Sequence, residues 1–192
     1  MRVPKVVDHD ERRRMIAEAV RRIAADRGLE AVSLGEVAVE AGISKGLVQH
    51  YFATKDEMLR YATTALRRQV ERRIPDGPPA LREVLVAMLP VDAEARTEAL
   101  VANAFLPRAL KDPAIGTRFR EGHGELVALL TTLVAAAQEA GGIDPELDAE
   151  PEAETLLALV GGLGDAVLLG HRSPAHAESL IDRHLARLAP AG

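Results

Sequence analysis

The chain of 192 residues contains no cysteine and no tryptophan, and only 3% of its residues are aromatic. The lack of cysteine excludes disulfide frameworks, thiolate metal sites and cysteine nucleophiles, which fits a reducing compartment. The first residues lack the apolar run of a signal peptide, and the longest clean apolar stretch, residues 126–137, is too short to span a bilayer. We therefore expect a cytoplasmic protein with no membrane partner.

Patterns that support catalysis or metal binding are lacking as well. The sequence has no P-loop, no G-x-S-x-G elbow and no Glu-x-x-His pair of the di-iron type. His171, His176 and His184 do not have the i, i+4 spacing that places two imidazoles on one face of a helix. We therefore predict a protein that is not an enzyme and has no catalytic residue, no metal site and no cofactor.

The charge is unevenly distributed along the chain. The composition as a whole, 47% hydrophobic and 28% charged, is typical of a globular protein, and the length allows one large or two small domains. Residues 1–74 hold 15 Lys and Arg against 11 Asp and Glu, whereas residues 75–192 hold 9 against 18. The first part, with a net charge of +4, would be attracted to a polyanion such as a nucleic acid. The second part, with a net charge of −9, would be repelled by it. Drift of surface charge along the chain is the alternative explanation.

Apolar residues recur with a helical period along almost the whole chain, which predicts an all-α protein of about nine helices. Four helices are expected within residues 8–74, the fourth of them long. Their predicted capping and terminating residues are Asp8, Gly28, Ser33, Gly42, Ser44 and Thr54.

Three prolines within residues 75–79 cannot continue a helix, because proline lacks the N–H donor and clashes with a preceding carbonyl. We place a domain boundary there, between residues 1–74 and residues 75–192. Five further helices are predicted beyond it, at residues 79–89, 93–111, 113–140, 150–171 and 175–188.

Two short helices joined through Gly42, the second opened by Ser44, have the turn chemistry of a helix-turn-helix. The second helix of such a motif enters the major groove of DNA. The helical period places Val48 and Phe52 on the side that packs on the protein. The opposite side is expected to be exposed and comprises Gly46, Leu47, Gln49 and His50.

Residues 36–59, EVAVEAGISKGLVQHYFATKDEML, resemble the DNA-binding signature of TetR-type bacterial transcriptional regulators. The predicted layout is similar too, with a three-helix head, a connecting fourth helix and a mainly five-helix body. The fragment SKGLVQHYF, and the body more loosely, is similar to the branch that includes choline-responsive regulators. The resemblance implies a DNA-binding regulator whose body senses a ligand and dimerises.

The resemblance also implies roles for residues of the head. Serines at two helix N-termini and two lysines would bind phosphates. Gln49 would pair with adenine, His50 would donate to a base edge or a phosphate, and Leu47 would touch a thymine methyl. A solvated face or a simple cap is the alternative for each residue, and Arg12–Arg14 either approach phosphate or are solvated. The predicted DNA contacts are Ser33, Ser44, Lys45, Gly46, Leu47, Gln49, His50, Tyr51 and Lys55.

Helix 8 is predicted to contain four glycines, each costing about 0.5–1 kcal/mol relative to alanine. Small residues recur in it every four positions and would let another helix pack closely. Because helices 8 and 9 form the dimer interface in the resembling family, we predict a homodimer through this stripe, with packing inside the chain as the alternative. The stripe consists of Ala158, Gly162, Ala166 and Gly170.

Helices 6 and 7 are expected to line the effector pocket of the body. Both tyrosines lie in the first 61 residues and the body has only two phenylalanines, so an aromatic cage for a quaternary ammonium is hard to build in one subunit. We predict a small apolar or weakly anionic effector. Its candidate contacts, for which core or surface positions are the alternative, are Asn103, Phe105, Arg108, Phe119 and His123.

The sequence thus predicts a homodimeric repressor that binds a palindromic double-stranded DNA operator and is released by its effector. A different class is a helical small-molecule sensor or carrier that no longer binds specific DNA. A third hypothesis, an all-helical enzyme, would require turnover of a ligand by the purified protein.

Overall fold

The computed structural model describes residues 9–62 and 80–190, which contain nine α-helices, one 3₁₀ turn and no strand. The all-α prediction is confirmed. The helices of the first range are α1 (His9–Arg27), α2 (Leu34–Glu40), α3 (Lys45–Tyr51) and α4 (Lys55–Ala62), with the 3₁₀ turn Leu29–Ala31 before α2.

The second range contains the five helices predicted for it, and their observed ends lie within three residues of the predicted ends. The period of the apolar residues and the prolines that precede or follow them are local signals, which explains the agreement. These helices are α5 (Leu81–Ala87), α6 (Ala93–Ala109), α7 (Pro113–Glu139), α8 (Ala149–Leu168) and α9 (Pro174–Arg187).

The predicted caps of α2, α3 and α4 are confirmed. The hydroxyl oxygens of Ser33, Ser44 and Thr54 each accept a hydrogen bond from the backbone N–H three residues later, at 3.1, 3.2 and 3.1 Å. Gly28 follows α1 with φ +78°, a conformation that favours glycine. Asp8, residues 63–74 of the predicted long helix 4 and the boundary at residues 75–79 lie outside the described residues.

The described residues form two compact units, the first from residues 9–62 and 100–116 and the second from residues 80–99 and 117–190. In the first unit α1 packs on α2 and α4, and α2 packs on α3. Its buried core includes Ile16, Val20, Ile23, Val37, Val48, Phe52 and Met58. In the second unit α5, α7, α8 and α9 share a core that includes Leu85, Leu130, Leu156 and Ile181.

Among the helices of the second range, the end of α8 differs most from its predicted position. Helix α8 ends at Leu168, and Gly170 lies beyond it with φ +72°. The backbone N–H of His171 donates to the carbonyl of Ala166 at 2.8 Å, which closes the helix end. The prediction that Gly170 lies inside the helix, as the fourth member of its small-residue stripe, is therefore wrong.

Within the two described ranges, no helix combines the length and apolar character needed to cross a membrane.

Candidate nucleic-acid interface

Helices α2 and α3 are joined by a tight turn whose geometry depends on one glycine. Gly42 has φ +64°, and its N–H donates to the carbonyl of Val39 at 3.1 Å. The N–H of Ile43 donates to the carbonyl of Ala38 at 2.9 Å, which completes the end of α2. Ser44 then opens α3, so the predicted helix-turn-helix is present.

Helix α3 is anchored on one side by two fully buried side chains, Val48 and Phe52. The Phe52 ring lies 5.4 Å from the ring of Tyr61, and the guanidinium of Arg13 lies 4.6 Å from the Phe52 ring and 4.8 Å from the Tyr61 ring. Arg13 also donates to Glu57 at 3.3 Å. Arg13 thus stabilises the anchor of α3, while its side chain stays 34% exposed.

The opposite side of α3 is open. Lys45, Gly46, Gln49 and His50 are exposed and Leu47 is half-buried, as the helical period predicts. A Cβ atom added at Gly46 would meet nothing within 4 Å, so the fold itself does not require a glycine there. Because glycine has no side chain, a ligand surface can approach the backbone of α3 closely at Gly46.

The serines and Lys55 already take part in the fold. Ser33 and Ser44 accept hydrogen bonds as caps, but each hydroxyl keeps its own hydrogen to donate. The Lys55 Nζ donates to the carbonyl of Leu29 at 3.2 Å. Lys45 is thus the more accessible of the two lysines for a phosphate.

Two ion pairs inside the first unit connect α4 to the last turn of α6 and to the short segment that follows it. Arg60 Nε donates to the Asp112 carboxylate at 3.1 Å, and Arg108 pairs with Asp56. The Asp112 carboxylate also accepts from the N–H of Ala114 at 3.0 Å, at the start of α7. The hydrogen bond from Arg60 lowers the pKa of Asp112, because it favours the ionised carboxylate.

His9 is a residue of this surface that the sequence did not reveal. Its ring lies 5.1 Å from the Tyr51 ring and 6.1 Å from the His50 ring. These residues lie more than 40 positions apart in the sequence, so no local spacing indicates that they meet. The start of α1 thereby contacts the last turn of the exposed helix.

The predicted effector contacts are distributed over both units. Asn103, Phe105 and Arg108 belong to the first unit, whereas Phe119 and His123 belong to the second. Phe105 is fully buried, and Arg108 is engaged with Asp56. Phe119 is half-buried and His123 is exposed.

The predicted dimerisation stripe lies on the face of α8 that points away from the core. Ala158 and Gly162 are exposed and Ala166 is half-buried. A Cβ atom at Gly161 or Gly162 would meet nothing within 4 Å. Packing of these glycines inside the chain, the alternative left open by the sequence, is therefore not seen among the described residues.

Comparisons with known proteins agree with this architecture. Residues 16–62 match the family model of bacterial regulatory proteins of the tetR family, and residues 79–190 match the C-terminal model of BetI-type transcriptional repressors. The HTH-type transcriptional regulator PksA of Bacillus subtilis is 34% identical over 168 residues, which cover 84% of this chain and 80% of PksA.

Two solved structures extend the likeness to the fold. A transcriptional regulator from Rhodococcus sp. Rha1 has a TM-score of 0.79 and 32% identity, covering 92% of this chain and 95% of that one. A putative transcriptional regulator from Saccharomonospora viridis, solved in complex with choline, has a TM-score of 0.78 and 27% identity, covering 92% and 96%. These relatives are regulators and not enzymes, and the chain belongs to the TetR family of DNA-binding transcriptional repressors.

Proposed function

We propose that the chain acts as a homodimeric repressor that binds a palindromic operator and is released by a small effector. In this proposal residues 1–74 contact DNA, and residues 75–192 dimerise and bind the effector. The observation that carries it is that α3 is buried on one side, through Val48 and the Phe52 that follows the helix, and exposes a polar side opposite. A helix held in this way presents its polar side to the major groove.

The bare side of α3 has the donors and acceptors that base reading needs. Neither Lys45 nor Gln49 makes a side-chain hydrogen bond or ion pair within the described part of the chain. The Gln49 amide is therefore able to pair bidentately with adenine, and Leu47 lies beside it for a thymine methyl. Lys45 and the hydroxyls of Ser33 and Ser44 supply phosphate contacts, with Gly46 permitting close approach and Tyr51 completing the surface.

The bare face of α8 supports the dimer. Glycines inside a helix destabilise it by about 0.5–1 kcal/mol each, and Gly161 and Gly162 have open space around them in the single chain. A second copy packed along Ala158, Gly162 and Ala166 would offset this cost, because small residues let two helices approach closely. A two-fold symmetric dimer has two α3 helices, one for each half-site of a palindrome.

For the effector we propose a small apolar or weakly anionic molecule bound by the body. The body has only Phe105 and Phe119 as aromatic residues, and Phe105 is fully buried in the first unit. Among the other predicted contacts, Asn103 and His123 are exposed and Phe119 is half-buried. Choline is the ligand of the Saccharomonospora viridis regulator, so a thermal-shift series should compare choline with short aliphatic carboxylates. A shift with choline alone would contradict the proposed effector class.

The decisive experiment selects duplexes from a random DNA library with the purified protein and titrates the enriched sequence by anisotropy across a salt series. We expect a palindrome, with a steep loss of affinity as salt rises. Gln49→Ala combined with His50→Ala should weaken binding by about 10- to 100-fold and relax the base preference. Thr132→Ala combined with Glu139→Gln, at two exposed positions of α7, is the matched control. Failure to enrich any sequence would favour a helical sensor or carrier instead.

A further inference from the structure

Three aromatic rings meet where the start of α1 reaches the last turn of α3. The rings of His50 and Tyr51 lie 5.2 Å apart with an interplanar angle of 84°, an edge-to-face arrangement. The His9 ring lies 5.1 Å from Tyr51 and 6.1 Å from His50 and is tilted against both. All three distances fall in the range over which aromatic rings attract one another.

Two of these rings need support from outside their own helix. Helix α3 has only seven residues, and its one buried residue is Val48. His50 is exposed and Tyr51 is half-buried, so the core holds neither ring completely. An exposed side chain normally exchanges between rotamers, and fixing it on binding costs affinity. The His9 ring, itself exposed, gives both rings a neighbour outside α3 before any ligand arrives.

The geometry points to His9 as a positioning residue of the DNA interface, an inference that rests on the proposed DNA-binding function. His9 acts through His50 and Tyr51, holding their rings in the orientation in which they meet the major groove. The N-terminus of α1, which the helix-turn-helix motif itself does not include, thereby influences base reading. His9 belongs functionally with α3 although it lies far from it in sequence.

This role predicts a specific set of DNA-binding defects. His9→Ala should weaken binding to the selected palindrome by about 3- to 10-fold. Without His9, the rings of His50 and Tyr51 lose their rotamer freedom only when DNA binds, and this conformational entropy lowers the affinity. It should relax the base preference at the same base pairs as His50→Ala, and not at those affected by Gln49→Ala. His9→Phe, which keeps a ring in place, should restore most of the affinity.

The experiment titrates the selected palindrome, and duplexes with single base-pair changes, against these variants at one salt concentration. His171→Ala, at an exposed histidine between α8 and α9, is the control for loss of an imidazole. The double variant His9→Ala/His50→Ala should lose less affinity than the product of the two single losses, because one residue acts through the other. Thermal unfolding of each variant identifies any loss of fold.

Each alternative outcome overturns the inference. Unchanged affinity in His9→Ala, or losses that multiply in the double variant, would show that His9 does not act through His50. A His9→Phe variant as weak as His9→Ala would show a direct imidazole contact instead of ring positioning. A second measurement needs no DNA: the ring proton resonances of His50 and Tyr51 should shift in His9→Ala, and unchanged resonances would also contradict the role. If the wild type selects no palindrome, the proposed function fails, whereas a palindrome with unaffected His9 variants removes this inference alone.

Discussion

Helices α3 and α8 each bury one side in their own unit and leave the other side bare, but they do so by different means. Helix α8 has 20 residues, and five of them are buried: Ala153, Leu156, Val160, Leu163 and Val167. Helix α3 has seven residues and buries only Val48. Its position depends on neighbours: the Ser44 cap, and Phe52 with Arg13 over its ring.

The bare sides differ in chemistry in a way that matches two kinds of partner. The bare side of α3 is polar, with Lys45, Gln49 and His50, and can exchange hydrogen bonds with water for hydrogen bonds with base edges and phosphates. The bare side of α8 is small and smooth, with Ala158 and Gly162, and suits another helix. Which side of a helix is buried indicates how it is held, and the chemistry of the other side indicates what it binds.

The largest effect is expected from a bulky charge on the bare side of α8. Gly162→Arg should leave the single chain folded, because Gly162 is exposed and a Cβ atom added there meets nothing within 4 Å. It should prevent dimerisation, because an arginine in a close helix contact is buried without a partner. Operator affinity should then fall by about 100-fold or more. Light scattering coupled to size-exclusion chromatography and anisotropy titration measure the two effects.

Ala136→Arg supplies the matched control, since Ala136 is also a small exposed residue, on α7. It should remain a dimer with normal operator affinity. If the Gly162→Arg protein is still a dimer, α8 does not form the interface and the dimer does not account for its glycines.

The second prediction compares the two sides of α8 directly. Leu163 is buried in the core of the second unit, and Leu163→Ala should lower the free energy of unfolding by about 2–4 kcal/mol through a cavity. Gly162→Ala, one residue away, should not destabilise the single chain and should weaken only the dimer. Urea unfolding over a range of protein concentrations separates the stability of the single chain from that of the dimer. Equal destabilisation by both substitutions at low concentration would contradict the assignment of the two sides.

The sequence predicts what depends on local spacing and misses what depends on distant contacts. The helix ends of the body, the caps of α2 to α4 and the exposed side of α3 follow from periodicity and from serine and proline positions. The contacts of His9 with Tyr51 and of Arg108 with Asp56 join residues far apart in sequence. Gly170 continued the four-residue spacing but adopts φ +72°, which no spacing reveals.

The third prediction separates the two lysines of the first unit. Lys45→Ala should weaken binding to all DNA sequences alike and reduce the slope of log affinity against log salt by about 0.9 for each α3. Lys55→Ala should change the slope less and lower the melting temperature more, because the Lys55 Nζ is bonded to the carbonyl of Leu29. Salt titrations of both variants provide the test. A slope change in Lys55→Ala as large as that in Lys45→Ala would show that Lys55 leaves Leu29 for a phosphate.

The smallest effect concerns acid stability in the first unit. Arg60, through its hydrogen bond, lowers the pKa of Asp112 in the folded state. The unfolded carboxyl has its ordinary pKa near about 4, so the folded state binds this proton less readily and is stabilised above that pH. The contribution is lost as the pH falls through the lower folded pKa. The effect is modest because the Arg60 side chain is 44% exposed and solvent weakens the pair.

Asp112→Asn removes the titrating group, so the melting temperature of the variant should fall less steeply than that of the wild type as the pH drops below 4. Arg60→Ala should also flatten this limb, because it removes the first cause of the lowered pKa of Asp112. Adding Arg60→Ala to Asp112→Asn should not change the fall of the melting temperature below pH 4 any further, because both substitutions affect the same titrating proton. An acid limb in Asp112→Asn as steep as in the wild type would show that other carboxylates dominate, among them Asp182, whose pKa Arg82 lowers by a hydrogen bond at 2.5 Å.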